Sequence, residues 1–192
     1  MEVAMSLFAQ QGFAGTTTRQ IAERAHDNEA IIFRHFPAKE KLYWAVIEDK
    51  CLAGGGRQRL EAALVSGAGD HEVFAAIAQD ILRRHTEDTT LTRLLLFSAL
   101  ENHRLSHRFF RTYVTKYYEV VAGHIRNRIR QKTFRHVDPL LAARGFLGML
   151  IYHIWIQELF GGKRYQKFGL KQVSKTLAGV WLEGMLANEK GN

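Results

Sequence analysis

The chain has 192 residues, of which 46% are hydrophobic and 24% charged, enough to bury a core and too apolar for disorder. Its single cysteine, Cys51, excludes an intrachain disulfide and a cysteine-rich zinc site. The opening MEVAMSLFAQQGF has no basic start followed by an unbroken apolar run, so secretion is not expected and the cytoplasm is. The most apolar stretch, GFLGMLIYHIWI at 145–156, is far short of the roughly 20 residues a bilayer span needs and is interrupted by His153. A buried helix, and no membrane partner, is expected there.

A net charge of +8 invites a nucleic-acid reading, but the charge is unevenly spread. Through residue 53, Arg19, Arg24, Arg34, Lys39, Lys41 and Lys50 are outweighed by Glu2, Glu23, Asp27, Glu29, Glu40, Glu48 and Asp49. The excess lies at 104–136, where Arg104, Arg108, Arg111, Lys116, Arg126, Arg128, Arg130, Lys132 and Arg135 face only Glu119. A DNA-binding role has to be argued from pattern.

Apolar residues recur at three- and four-residue spacing with no sustained alternation, which predicts an all-α fold. Helices are expected at 1–11, ending at Gly12, at 16–25, 28–36 and 38–52, with Gly54, Gly55 and Gly56 breaking the fourth. That triple glycine marks the expected boundary between an N-terminal domain at 1–53 and a larger one at 54–192. Beyond it the periodicity predicts helices at 57–65, 71–87, 90–103, 106–132, 138–160 and 169–188, the 106–132 segment being a candidate for a break. Pro37 and Pro139, the only prolines, stand where helices begin, a place that tolerates the missing amide.

Residues 17–36 have the layout of a helix-turn-helix, in which one short helix braces a second that enters the major groove. Thr16 is a candidate cap for the bracing helix, and Ile21 and Ala22 give it an apolar side. Ile32 and Phe36, four apart, supply the buried stripe of the reading helix, flanked by Arg34 and His35.

LFAQQGFAGTTTRQIAERA followed by NEAIIFRHFPAKEKL resembles the DNA-binding signature of the TetR family over residues 4–47. Leu7, Phe8, Gly12, Thr16, Thr17, Ile21, Ala22, Ala25, Phe33, His35, Phe36, Lys39 and Leu42 fall at the expected spacings. The resemblance implies a transcription regulator, an N-terminal helix-turn-helix domain with a C-terminal helical bundle for ligand binding and dimerisation, double-stranded operator DNA and a small-molecule effector as partners, a homodimer, and repression relieved by the effector. No cofactor, metal or catalysis is implied. The chain departs from the pattern between the two helices, where His26, Asp27 and Asn28 replace the usual glycine, aliphatic residue and serine. Asn28 keeps a capping side chain, and His26 tolerates positive φ better than most residues. Asp27 stands where an apolar residue would pack under the turn, and Phe33 where a tyrosine hydroxyl is common.

Candidate DNA contacts follow. Thr16 reads equally as a cap and as a contact. Thr17, Arg19, His35 and Lys39 are placed for the sugar-phosphate backbone. Asn28 is primarily a cap, and Glu29 is either a solvated first-turn acid or a cytosine reader. Ile31 is placed for a thymine methyl, Phe33 for apolar contact and Arg34 for guanine.

Phe97, Tyr113, Tyr117, Phe146, Tyr152 and Trp155, with Asn102 and His153 as polar anchors, are the candidates for an effector cavity, although core packing also explains them. The basic 104–136 stretch reads as a solvated face and keeps an acidic effector in play. His103 and His107 have metal-ligand spacing without an evident third ligand, and Cys51 lacks an identified thiolate stabiliser. The apolar 145–156 stretch and a stripe of Val173, Leu177, Val180, Trp181 and Met185 predict dimerisation through the last two long helices. An enzyme built on the scattered histidines and a purely architectural DNA binder are the competing readings; no nucleophile, base and orienter assemble from the sequence.

Overall fold

The computed structural model describes residues 1–101 and 104–187, and the fold is all-α. Its helices are α1 Glu2–Gln11, α2 Thr18–Arg24, α3 Glu29–His35, α4 Lys39–Ala53, α5 Gly56–Leu64, α6 Asp70–Glu87, α7 Thr90–Leu100, α8 Arg104–Phe109, α9 Thr115–Arg130, α10 Pro139–Ile154 and α11 Leu170–Glu183. Among the described residues the only β feature is an isolated bridge between Phe134 and Leu186.

The expected helix at 106–132 is interrupted by a π-helical turn, Phe110–Val114, and a second such turn, Trp155–Leu159, ends α10. Pro139 opens α10 behind the cap Asp138, whose carboxylate accepts the Leu141 amide at 2.8 Å. Pro37 stands two residues ahead of α4.

Two compact units make up the chain, Met1–Gly55 with Asp88–Thr112, and Gly56–Glu87 with Tyr113–Asn192. The division falls inside the triple glycine, and the first unit also takes in α7 and α8. Long-range polar contacts explain that addition. The Tyr43 hydroxyl donates to the Leu94 carbonyl at 2.8 Å, and Arg93 Nε donates to the Ala9 carbonyl at 2.7 Å. Phe8, Phe13 and Tyr43 pack edge to edge or stacked at the centre of this unit, and burial pushes the Tyr43 phenol above its ordinary value.

In the second unit α6 packs along α11, and α9 along α10. Phe74 is the hub, with ring centroids 5.0 Å from Phe146 and 4.5 Å from Trp181, whose indole donates to the Ala142 carbonyl at 3.1 Å. Asp70, at the start of α6, accepts from Arg128 Nε at 2.9 Å and Nη2 at 2.5 Å, with His124 Nε2 3.4 Å from its other oxygen.

The apolar helix is longer than the 145–156 run. With its π turn it covers Pro139–Leu159, 21 residues, so by length and composition it would reach across a bilayer. Ala143, Phe146, Leu147, Leu150 and Ile154 face the protein interior, whereas Leu141, Gly145, Gly148 and Tyr152 form an exposed stripe on the same helix. Only 28% of its most apolar window is buried within the protomer.

Candidate nucleic-acid interface

The loop between α1 and α2 is built from backbone groups held at a distance in sequence. Gly12 closes α1 at φ 75°, a conformation favoured for glycine, and its amide bonds back to the Phe8 carbonyl at 3.0 Å. The next two amides, of Phe13 and Ala14, donate to the Glu101 carboxylate at 3.1 Å each. Sequence reading assigned Glu101 no part here, and with 87 and 88 residues intervening no local signal could have found it.

Thr16 is a correction. It is fully buried and its hydroxyl donates to the Gly12 carbonyl at 2.8 Å, so it holds the loop and offers no surface to DNA. The cap of α2 is Thr17: its hydroxyl accepts the Gln20 amide at 3.1 Å, and the Gln20 side chain accepts the Thr17 amide at 3.0 Å. Arg19, exposed on the first turn, pairs with Glu23 at 2.9 Å.

Lys39 also does something other than project outward. Its ammonium donates to the carbonyls of Phe13 at 2.9 Å and Thr16 at 2.8 Å and sits 4.2 Å from the Phe13 ring centroid. With two of three donors used, Lys39 is first a clamp on the α1–α2 loop.

Between α2 and α3 the departures from the TetR pattern are accommodated. His26 takes φ 54°, supplying the left-handed turn without glycine. The Asp27 carboxylate accepts the Asn28 amide at 2.8 Å, and Asn28 remains the cap of α3, accepting the Ala30 amide at 2.9 Å. A crevice of about 490 Å³ lies beside the turn; Asp27, Ile21, Ile31, Ile32, His35, Phe36, Leu42 and the start of α1 line it. Ile31 and His35 therefore stand on the crevice side of α3.

No residue of α3 is buried. Ala30, Phe33 and Arg34 are exposed away from the half-buried pair Ile32 and Phe36, and Phe33 is 45% exposed. Glu29 is tied back to α2, accepting from the Thr18 hydroxyl at 2.5 Å, so one carboxylate oxygen is committed to bracing the two helices. A short helix capped by Asn28, with an apolar ring and a guanidinium on its open side, can lie in a major groove and meet base edges.

The expected effector residues are divided between the two units. Phe97 belongs to the first unit, and Tyr113, Tyr117, Phe146, Tyr152, His153 and Trp155 to the second. Asn102 lies outside the described residues, as does His103 of the histidine pair, while His107 is exposed. Phe146 is fully buried in the aromatic core and Tyr152 is 64% exposed, so neither lines a ligand cavity in the protomer. Tyr117 is half-buried, its hydroxyl bonded to the Gly56 carbonyl at 3.3 Å beside Arg84 at 3.4 Å. Burial, with a smaller push from Glu48, raises the Cys51 thiol to about 12, which keeps it protonated and unreactive.

Residues 1–46 match the family described as bacterial regulatory proteins, tetR family, and residues 72–176 match the AefR-like transcriptional repressor C-terminal domain. The chain belongs to the TetR family. Among curated relatives it is 42% identical over 48 residues to the HTH-type transcriptional repressor Rv3405c of Mycobacterium tuberculosis, 25% of this chain and 26% of that protein. The match thus spans about a quarter of the length of such relatives. A longer match, 26% identical over 155 residues, joins it to the nucleoid occlusion factor SlmA of Vibrio atlanticus, covering 77% and 76% of the two chains. The fold is that of the TetR family regulator PfmR from Thermus thermophilus, with TM-score 0.67, 23% identity and coverage of 95% and 96%. It is also that of AibR solved with isovaleryl coenzyme A and operator DNA, with TM-score 0.68, 22% identity and coverage of 93% and 94%.

Proposed function

We propose that this protein is a sequence-specific DNA-binding transcription regulator that acts as a homodimer in the cytoplasm and represses until a small-molecule effector releases it. The observation that carries this reading is α3: capped by Asn28, braced through Thr18 and Glu29, and open to solvent at Phe33 and Arg34. Thr17, Arg19 and the loop clamped by Lys39 are the positioning elements for phosphate, and Arg34 is the base reader. Supporting the dimer is the uncovered stripe of α10, Leu141, Gly145, Gly148 and Tyr152, together with Val180 of α11, 60% exposed. Supporting the effector is AibR, a structural neighbour that binds both isovaleryl coenzyme A and operator DNA. The effector favours the dimer conformer whose reading helices no longer match the groove spacing, and it shifts the equilibrium only by its differential affinity for the two states. The protein binds and switches; it catalyses nothing.

Selection from a library of genomic fragments tests the reading. It should enrich a two-fold symmetric site whose half-sites lie about 10 base pairs, or a multiple of that, apart. Enrichment of bent or A-tract DNA without a half-site would favour an architectural binder instead.

A further inference from the structure

The loop that leads into α2 is gripped by a helix from outside the helix-turn-helix, since the compact unit that contains residues 1–55 also takes in α7. Arg93 lies in α7 and Glu101 is its C-cap, eight residues on, about 12 Å along the axis and on the same stripe. They bear opposite charges and engage opposite polar groups of one chain segment. Arg93 Nε donates to the Ala9 carbonyl at 2.7 Å, in the last turn of α1, where carbonyls lack intrahelical donors and the helix dipole favours a cation. The Glu101 carboxylate accepts from the amides just beyond that helix end, one oxygen from Phe13 and the other from Ala14. Successive amides in a turn form a concavity suited to an anion, and here the chain supplies its own.

Gly12 makes room for this grip. A Cβ there would lie 2.2 Å from Glu101 Oε1 and 3.0 Å from Phe97 Cδ1, so the close approach of α7 demands glycine as much as the φ of 75° does. From the other side Lys39 holds the carbonyls of Phe13 and Thr16, so carbonyls and amides of the loop are fixed by different helices. Thr17, the cap of α2, follows directly. A shift of α7 by one residue, about 1.5 Å along its axis and 100° around it, would take Arg93 and Glu101 off their partners together.

We propose that α7 is a working part of the DNA-binding unit, with Arg93 and Glu101 as positioning residues that set where α2 meets the duplex without touching DNA themselves. This rests on the DNA-binding reading and deepens it.

Affinities for the selected operator are measured on the full chain for the parent, Glu101→Ala, Glu101→Gln, Arg93→Met and Arg93→Lys, at a temperature where melting curves show each protein fully folded. Lost stability alone leaves affinity unchanged there, because the unfolded fraction is negligible. Glu101→Ala and Arg93→Met should each weaken operator binding by about tenfold or more. Glu101→Gln keeps an acceptor oxygen and Arg93→Lys keeps a donor, so these two should recover most of the loss. Hydrogen exchange at the Phe13 and Ala14 amides should quicken in Glu101→Ala and less in Glu101→Gln. Parental affinity in Glu101→Ala overturns the proposal, as does an unrescued loss in which both amides stay protected. Tighter binding by Glu101→Ala and Glu101→Gln alike also overturns it, marking the carboxylate as a plain repulsive charge. If Glu101→Ala does not fold, parental affinity in Arg93→Met is the overturning result. A parent that binds no duplex refutes the regulator reading and this proposal with it, whereas a binding parent matched by all four variants refutes the positioning role alone.

Discussion

The Lys39 ammonium donates to the Phe13 carbonyl at 2.9 Å, so a side chain whose sequence position suggests a phosphate contact is spent on fixing the loop that presents α2. A second bond, to the Thr16 carbonyl at 2.8 Å, ties both ends of that loop to the first turn of α4. Positioning on DNA and folding are therefore coupled through one residue.

Lys39→Ala should cost about 1–2 kcal/mol of stability, because two charge-assisted bonds to the Phe13 and Thr16 carbonyls are lost. It should weaken DNA binding on all sequences alike while leaving the salt dependence of affinity almost unchanged. Thermal melts and a salt titration of binding check both. A salt slope lower by about one charge, with Tm intact, would make Lys39 a phosphate ligand and not a clamp.

Asp88 supplies a pH-dependent contribution in the same unit. Burial raises its pKa, but hydrogen bonds from the Lys50 ammonium and from Thr90 outweigh that and bring it down to about 2 from 3.8. A carboxylate depressed on folding stabilises above its unfolded pKa and loses that contribution as pH falls through the folded value. Asp88→Asn should therefore lower Tm near neutral pH, with the difference shrinking between pH 3.8 and about 2. The effect should not exceed about 1 kcal/mol, since the side chain is 41% exposed and solvent screens the pair. Melting curves of both proteins over that pH range check it.

Much of this architecture is legible in the chain because it depends on local periodicity: the helices, the triple glycine, the Asn28 cap and the left-handed His26 all follow from near neighbours. What is not legible depends on distant ones. Glu101 reaches the Phe13 and Ala14 amides from 87 or more residues away. The cap falls on Thr17 because Thr16 is drawn inward by the Gly12 carbonyl, a choice that a run of three threonines does not reveal. Aromatic density likewise says nothing of direction: Phe146 turns into the core and Tyr152 out to solvent from one helix. The π turn at Trp155–Leu159 is equally silent, since the extra residue leaves the apolar pattern almost unaltered, whereas the 106–132 segment already read as a candidate for a break.

The dimer proposal makes Gly148 decisive. A Cβ added there meets no atom within 4 Å in the protomer and the position is exposed, so Gly148→Arg should fold normally. In a two-fold interface the same arginine would face its own symmetry mate's helix, desolvated and without a partner. Light scattering at micromolar concentration should read a dimer for the parent and a monomer for the variant, with operator affinity lost together with the dimer. A monomeric parent would contradict the assembly.

The central claim is that α3 reads bases, and Arg34 tests it most directly. Affinities of the parent and of Arg34→Ala are measured on the selected operator and on every single-base variant of it, over a salt series. The account predicts that the parent discriminates at one position by about 1–3 kcal/mol and that Arg34→Ala loses that discrimination there while keeping it elsewhere. A parent that binds all variants equally, or an Arg34→Ala protein with the parent's affinities throughout, would contradict it.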